Sequence, residues 1–179
     1  GDTSAYSAVV NFTTLCNAFN APYTQNFNAM ATNLTGTVDC WNFGVSPTVS
    51  NLFWRTNVGA TGSTGTGPAT GNGGGGSYFY LETSSTANDT ALALSPVINI
   101  SSLSNPQLSF YYHMYGATMG RLRVDVWNGT NWVLNVWNRK GQQHISETAP
   151  WSLATVSLAA YSGNIAIRFA GSRNGDFTG

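Results

Sequence analysis

The chain has 179 residues and only 14 charged side chains, seven from Lys and Arg and seven from Asp and Glu, which give a formal net charge of zero. Charged residues make up 8% of the sequence, against about 25% in an ordinary soluble domain. So few cations cannot neutralise a run of phosphates, which argues against a nucleic-acid partner. Hydrophobic residues make up 42%, enough to fold a domain. No run of about 18 apolar residues is available to insert into a membrane.

The uncharged polar residues are mainly Ser, Thr, Asn and Gly, a composition that indicates a secreted or cell-surface protein. Cys16 and Cys40 are the two cysteines, and no second pair could complete a four-thiolate zinc site. In an extracellular setting they predict a disulfide, with two buried thiols as the alternative. Residues 1–6 lack the basic and apolar regions of a signal peptide. We therefore expect a processed chain, or a piece of a larger secreted protein.

Alternation of apolar and polar residues with period two dominates the chain, and no window keeps an amphipathic helical period. In chain order the predicted strands are Phe27, Trp41–Phe43, Phe53–Trp54, Tyr78–Thr83, Ala91–Ile98, Gln107–Tyr115, Arg121–Trp127, Trp132–Trp137, Leu153–Leu158 and Ile165–Phe169. Residues 59–77 predict a long loop with little to bury. Nine or more short strands separated by turn signals predict an all-β fold, a two-sheet antiparallel β-sandwich or jelly roll. We expect one domain over residues 1–179.

The alternation also predicts which side chains point inward. Leu122, Val124 and Val126 are expected to face the core, with Arg121, Arg123 and Asp125 on the outer face. The aromatic residues predicted to lie in the core are Phe110, Tyr112, Trp132 and Phe169. Asn128 and Gly129 predict a hairpin with a type I′ turn, because both residue types tolerate a positive φ.

Residues suited to catalysis are scarce. His113 lies in an aromatic strand and is interpreted as a hydrogen-bonded structural histidine, whereas His144 lies in a polar loop and is expected to be solvated. A glycosidase would need two carboxylates across a cleft, and the candidates are scattered along the chain: Asp2, Asp39, Glu82, Asp89, Asp125, Glu147 and Asp176. The run Gly71–Gly76 fits G-x-G-x-x-G but leads into a strand, which argues against a dinucleotide site. The sequence therefore predicts no catalytic residues and no enzyme activity.

Several segments together resemble the signature of the MAM domain, named after meprin, neuropilin and receptor tyrosine phosphatase mu. They are Cys40-Trp41, Gly65-Thr66-Gly67-Pro68, Tyr80-Leu81-Glu82, Ser95-Pro96-Val97-Ile98, Leu108–Gly116, Met119–Val124, Trp137 with Gly141-Gln142, Trp151 with Val156 and Leu158, and Ile167-Arg168-Phe169. The resemblance covers roughly residues 16–179. The chain looks most like the copies appended to secreted peptidases, polysaccharide-degrading enzymes and adhesins of Bacteroidetes.

The resemblance implies a jelly-roll module that mediates extracellular recognition and has no activity of its own. Family members close with a core strand directly after the motif that is Phe177-Thr178-Gly179 here. That strand is therefore either missing from this sequence by truncation, or supplied by another chain through β-augmentation. An open edge of this kind also makes self-association a candidate property.

The resemblance further implies a calcium site, but with poor ligands. The family's acidic positions correspond to Asn26 or Asn28 and to Asn72, so that Glu82 is the one remaining carboxylate. Calcium prefers six or more oxygen ligands, several of them carboxylates, and we therefore expect at most a weak structural site. The alternative for Glu82 is a hydrogen-bond acceptor that anchors a loop.

Three functions remain as hypotheses. A glycan-binding module would use aromatic and polar surface residues, for which the candidates are Tyr111, Tyr115, Trp127, Trp137, Arg121 and Arg123. An adhesion module would instead bind an extracellular protein through a charge-poor face. The third hypothesis is an accessory domain that supports an adjacent secreted peptidase or polysaccharide-degrading enzyme.

Overall fold

The computed structural model of the chain describes residues 16–45, 52–83 and 90–174. Among these residues there are twelve β-strands and one short 3-10 turn, Asn72–Gly74. The strands are β1 (Phe19–Asn20), β2 (Thr37–Val38), β3 (Trp41–Val45), β4 (Phe53–Val58), β5 (Ser77–Glu82), β6 (Thr90–Leu94), β7 (Ile98–Asn99), β8 (Gln107–Tyr112), β9 (Arg121–Trp127), β10 (Trp132–Lys140), β11 (Ser152–Ser157) and β12 (Asn164–Ser172). None of the described segments forms a helix long and apolar enough to cross a membrane.

The strands form one large sheet and two small ones, which confirms the all-β prediction. In the large sheet β12 is central, with β9 and then β10 on one side and β6, β3 and β2 on the other. The short β7 pairs antiparallel with the start of β12, and β1 pairs parallel with β7. The small sheets are the antiparallel pairs β4–β5 and β8–β11. The large sheet and the two small ones form a sandwich-like arrangement.

The core lies between the large sheet and both small sheets, and Phe169 of β12 joins them. Its ring centroid lies 5.6 Å from Phe79 of β5, 5.0 Å from Phe110 of β8 and 6.2 Å from Trp41 of β3. Both small sheets therefore pack on the same face of the large sheet. Burying an aromatic side chain of this size contributes roughly 1.5–3 kcal/mol.

A buried carboxylate lies at the centre of the opposite face. Asp125 points outward, as predicted, but it is 0% exposed. It lies directly across from Arg168 of β12, whose guanidinium is 2.8 Å away. Arg123 contributes a second ion pair at 3.2 Å. The backbone N–H of Asn135 donates a third bond to the carboxylate, at 2.8 Å. Paired in this way, a buried charge is tolerated.

The hydrogen bond from Asn135 depends on a β-bulge in β10. The register of β10 against β9 shifts between Val133 and Trp137, which lie opposite Val126 and Val124. Three residues of β10 therefore stand opposite Asp125 alone. Asn135 has a φ of 60°, a conformation that asparagine tolerates better than most residues. The bulge turns its N–H toward the carboxylate, an arrangement that alternation in the sequence does not indicate.

The core assignment of Trp132 was wrong. Its side chain is half-buried on the outer face of the large sheet, where its ring lies 5.9 Å from Trp127 and 4.2 Å from the guanidinium carbon of Arg168. Trp132 stands directly opposite Trp127, and Trp127 shares a face of β9 with Asp125. The tryptophan therefore covers the ion pair instead of the core.

Two further local predictions were wrong. Phe27 is not in a strand: its φ is 59°, the side chain of Gln25 accepts its N–H, and its ring packs 5.3 Å from Trp41. The turn at Asn128 is not a two-residue type I′ turn, because residues 128–131 all lie in the connection. The Asn128 side chain accepts the N–H groups of Thr130 and Asn131, which is a local Asx-type turn.

The predicted strand Ala91–Ile98 is divided into β6 and β7 by Ser95 and Pro96. Ser95 is buried and its hydroxyl accepts the N–H of Ile167 in β12, at 2.8 Å. The side chain thus replaces a backbone partner where the ladder is interrupted. The predicted Cys16–Cys40 disulfide is present and ties the start of the described chain to the β2–β3 connection.

We expect Asp125→Ala to lower the free energy of unfolding by about 3–5 kcal/mol, because it leaves Arg168 without its buried partner. Chemical denaturation followed by tryptophan fluorescence measures this change. Lys140→Ala, which removes an exposed charge at the end of β10, is the control and should change stability by less than about 0.5 kcal/mol. Equal effects of the two substitutions would contradict the structural role of Asp125.

Candidate ligand-binding site

A cavity of about 1000 Å³ lies between β5 and β8. Among the described residues β5 pairs with β4 and β8 pairs with β11, and no pairing joins β5 to β8. Residues 77–83 and 106–114 line the cavity in unbroken runs. Successive side chains of a strand point to opposite faces, so an unbroken run of lining residues fits a strand that borders the cavity with its edge. Two strand edges therefore face the same space.

The floor of the cavity is apolar. It is formed by three residues of β12 in the large sheet, Ile165, Ile167 and Phe169, together with Leu108 and Phe110 of β8. The lining residues include one carboxylate, Glu82, and one guanidinium, Arg121. The site therefore offers main-chain hydrogen-bonding groups beside an apolar surface, with little charge.

The glycine-rich loop 59–76 covers one end of this cavity. It was predicted to have little to bury, but it is anchored to the segments that follow β8 and β10. Gly67 donates its N–H to the Tyr115 carbonyl at 3.0 Å, Ala69 donates to the Glu147 carbonyl at 2.8 Å, and the Trp151 indole donates to the Thr70 carbonyl at 3.0 Å.

The six predicted ligand-binding residues do not form one site. Tyr111, which is 51% exposed, and Arg121 line the cavity. Tyr115 acts through its backbone as an anchor of the loop, and Arg123 is paired with Asp125. The two remaining candidates are the tryptophans.

Both tryptophans have partners on their rings. Trp137 packs 5.0 Å from Phe110 and 5.2 Å from Tyr112, at the margin of the core, and the Arg139 guanidinium lies over its ring at 5.0 Å. Trp127 lies beside Trp132 on the outer face of the large sheet. Neither tryptophan lines the cavity.

The four predicted metal ligands all line the cavity: Asn26, Asn28, Asn72 and Glu82. The Asn26 side chain accepts the N–H of Asn28 at 3.1 Å, and Glu82 accepts the Tyr80 hydroxyl at 3.2 Å. Burial, and secondarily the Glu82 charge, raise the pKa of Tyr80. Asn28 lies beside Gly76 at the start of β5, whereas Glu82 ends that strand about 17 Å further along, so the two cannot ligate one calcium ion. Among the described residues no group of three or more His, Cys, Asp and Glu is placed to hold a metal ion.

The two histidines form a stacked pair near the end of β8, with ring centroids 4.3 Å apart. His144, predicted to be solvated, is buried, and that prediction was wrong. Its N–H donates to the Met114 carbonyl, and Met114 donates its N–H to His144 Nδ1, both at 2.9 Å. His113, predicted to be hydrogen-bonded, instead has both ring nitrogens buried without a bond of good geometry.

The bond from Met114 also fixes the role of His144 Nε2. Since Nδ1 accepts a hydrogen bond, the neutral ring carries its proton on Nε2, which donates a hydrogen bond to the Ser152 hydroxyl at 3.1 Å. A catalytic base would have to accept a proton from the serine at that nitrogen. The His144–Ser152 pair is therefore arranged as a structural contact.

Of the candidate carboxylates, Asp2, Asp89 and Asp176 lie outside the described residues, as does the Phe177-Thr178-Gly179 motif.

Sequence reasoning missed His113 and Trp151 as residues that line the cavity. The rings of His113 and Trp151 lie 5.8 Å apart, and Tyr78 lies 5.5 Å from Trp151. These contacts join segments far apart in sequence. No local pattern could have indicated them.

We expect stability to fall between about pH 6.5 and pH 4. Burial, and secondarily the charge of His144, lower the pKa of His113 to about 4, and burial lowers that of His144. The unfolded chain takes up protons below about pH 6.5 that the folded chain does not, so the free energy of unfolding declines with falling pH. Denaturation midpoints across this range measure the slope. His113→Phe, which preserves a ring, should flatten it, and an unchanged slope would contradict this assignment.

A family model described as "MAM domain, meprin/A5/mu" matches residues 41–179, well over half of the chain. The match includes both strands that border the cavity, β5 and β8. MAM domains are extracellular modules of the adhesion type and are generally non-catalytic. The chain belongs to the MAM family.

Proposed function

We propose that this domain is a secreted or cell-surface recognition module without catalytic activity, and that it binds an extracellular protein. The observation that carries the proposal is the cavity bordered by the edges of β5 and β8. Recognition of an extended peptide at a strand edge uses backbone N–H and C=O groups, with side-chain pockets beside them. The apolar floor beneath them suits side chains of a protein ligand.

A glycan ligand has less support. Binding of neutral sugars depends on exposed aromatic faces. Trp137 packs against Phe110 and Tyr112, and Trp127 lies beside Trp132. Among the six candidates Tyr111 on β8 has the most exposed aromatic ring, and it lies beside the exposed Leu153 of β11. One such ring makes a poor sugar platform, and we therefore favour a protein over a glycan. The accessory role beside a secreted enzyme is compatible with protein binding, because such an enzyme could itself be the partner.

We propose that Glu82 serves as a hydrogen-bond acceptor and not as a calcium ligand together with Asn26, Asn28 and Asn72. It accepts the Tyr80 hydroxyl at 3.2 Å at the end of β5, whereas Asn28 lies beside Gly76 at the start of that strand.

Immobilised domain should retain a subset of a random displayed-peptide library and none of a broad neutral-glycan array. Tyr111→Ala is the informative variant because it removes the exposed ring while leaving the strand edge in place. We expect it to change peptide retention less than threefold. Retention of glycans that is lost in Tyr111→Ala would overturn the protein assignment, and retention of neither class would overturn the recognition function.

Calcium at about 10 mM should therefore change the free energy of unfolding no more than magnesium does at equal ionic strength. A site with the dissociation constant of about 0.1–1 mM typical of extracellular modules would instead add about 1–3 kcal/mol. An increase specific to calcium that is lost in Glu82→Gln would overturn the assignment of Glu82 as a hydrogen-bond acceptor.

A further inference from the structure

We propose that the outer face of the large sheet is a second interaction surface, which binds an acidic segment of a partner protein. The surface lies on β9, β10 and β12, on the side of the sheet opposite the core. The bound segment supplies two carboxylates at one end of this face and an apolar side chain at the other. Lys140, Trp127 and Trp132 of the outer face do not line the cavity, so the two sites can be tested separately.

The first support is an uneven distribution of charge. The chain as a whole has no net charge, but β9, β10 and β12 together hold five of its seven cationic side chains and one of its seven acidic ones. The five cations are Arg121, Arg123, Arg139, Lys140 and Arg168, and the one acid is Asp125. The rest of the chain therefore has two cations and six acids. These three strands are positive within a neutral chain, and a positive surface favours a negative partner.

The second support is the position of the cations at one end of the outer face. Directly opposite residues of an antiparallel pair share a face of the sheet. Arg121 of β9 lies opposite Lys140 of β10, and Arg123 lies opposite Asn138 in the next pair on that face. Arg121 and Lys140 are exposed. Because like charges in opposite positions destabilise a sheet, carboxylates bound beside them would relieve this repulsion.

The carboxylate on the outer face leaves this end positive. Asp125 is fully buried and pairs with both Arg123 and Arg168, so one negative charge serves two cations. Arg121 and Lys140 lie two positions of the same face further along the strands, about 13 Å away. That distance exceeds the Debye length of about 8 Å at physiological ionic strength.

The third support is the aromatic end of the outer face. Trp127 and Trp132 stand directly opposite each other, half-buried, with ring centroids 5.9 Å apart. The guanidinium carbon of Arg168 lies 4.2 Å from the centre of the Trp132 ring. Trp and Arg are among the residues that most often dominate the energy of protein interfaces. Since a cation already covers one side of Trp132, this end suits an apolar side chain better than a stacked sugar.

The size of the charged end favours an acidic protein segment over a polyanion. A polyanion binds through a run of cations that follows its charges. The outer face instead has one exposed row, Arg121 with Lys140, and the tryptophans lie about 20 Å from it, six positions along β9. This pattern matches two carboxylates and an apolar residue about six positions further along an extended segment.

The test compares the 179-residue chain with two charge-reversed variants. Lys140→Glu places a carboxylate opposite Arg121, so it provides both exposed cations of the row with an internal substitute for the ligand. Arg139→Glu changes the net charge equally at the neighbouring position. It is the matched control because the Arg139 guanidinium lies over the Trp137 ring, and Trp137 stands opposite the inward-facing Val124.

A displayed library of random twelve-residue peptides is selected on all three immobilised proteins. We expect peptides retained by the unmodified chain to contain at least twofold more Asp and Glu than the unselected library. The most enriched acidic peptide, measured by calorimetry, should bind Lys140→Glu at least tenfold more weakly and Arg139→Glu less than twofold more weakly. Its binding to the unmodified chain should weaken between 50 and 300 mM NaCl, because salt screens exposed charges.

Denaturation midpoints separate lost binding from lost folding. Lys140→Glu should have a midpoint equal to or above that of the unmodified chain, because an attractive pair replaces a repulsive one. A lower midpoint would show that Lys140 has a partner within the folded chain and would overturn its assignment to a binding surface.

The remaining outcomes each decide against the acidic protein segment. Retained peptides without enrichment in Asp and Glu, or equal losses in both variants, overturn this second surface and leave the proposed function standing. Heparin that binds the unmodified chain but not Lys140→Glu, with no acidic peptide retained, assigns the face to an anionic polysaccharide. Dimers that only Lys140→Glu abolishes, seen by light scattering without any acidic peptide, assign it to a second copy of the chain. Retention of no peptide at all overturns the second surface, and the proposed function falls with it only if no glycan is retained either.

Discussion

The contact of Phe169 with aromatic rings from three other strands is the interaction on which the arrangement of the layers depends. Phe169 lies in the central strand of the large sheet, and its ring meets Phe79 of one small sheet and Phe110 of the other. Because no backbone pairing joins the two small sheets among the described residues, side-chain packing of this kind keeps them on a common face. It also places β5 and β8 on either side of an apolar floor.

A second stabilising element lies on the opposite face of the large sheet. The Asp125 carboxylate is fully buried, pairs with Arg168 and Arg123 and accepts the N–H of Asn135, so it holds β9, β12 and the bulge of β10 together. Removing one partner from such a pair leaves a buried charge uncompensated, which is why this face depends on side-chain chemistry as well as on the backbone ladder.

The predicted and observed strands agree where alternation was strong and disagree where a side chain replaced a backbone partner. Arg121–Trp127 was predicted with the bounds that β9 has, because its apolar residues alternate without interruption. Phe27 has the composition of a strand but a left-handed backbone, and the β6–β7 break depends on the Ser95 hydroxyl. For the candidate site, the sequence supplied Tyr111, Arg121 and the four predicted calcium ligands. Trp127 and Trp137 have equally aromatic patterns, yet Trp132 lies beside the first, and Phe110 and Tyr112 pack against the second.

The sequence by itself determined the β-sandwich class, the disulfide and membership of the MAM family, since each of these follows from periodicity, residue type or a contiguous motif. Only the tertiary structure decided that Asp125 is buried, that Trp132 covers an ion pair and that two strand edges border one cavity. The physical reason is that alternation reports which side of a strand a residue occupies. It carries no information on which other strand covers that side, or on whether the edge of the strand has a partner.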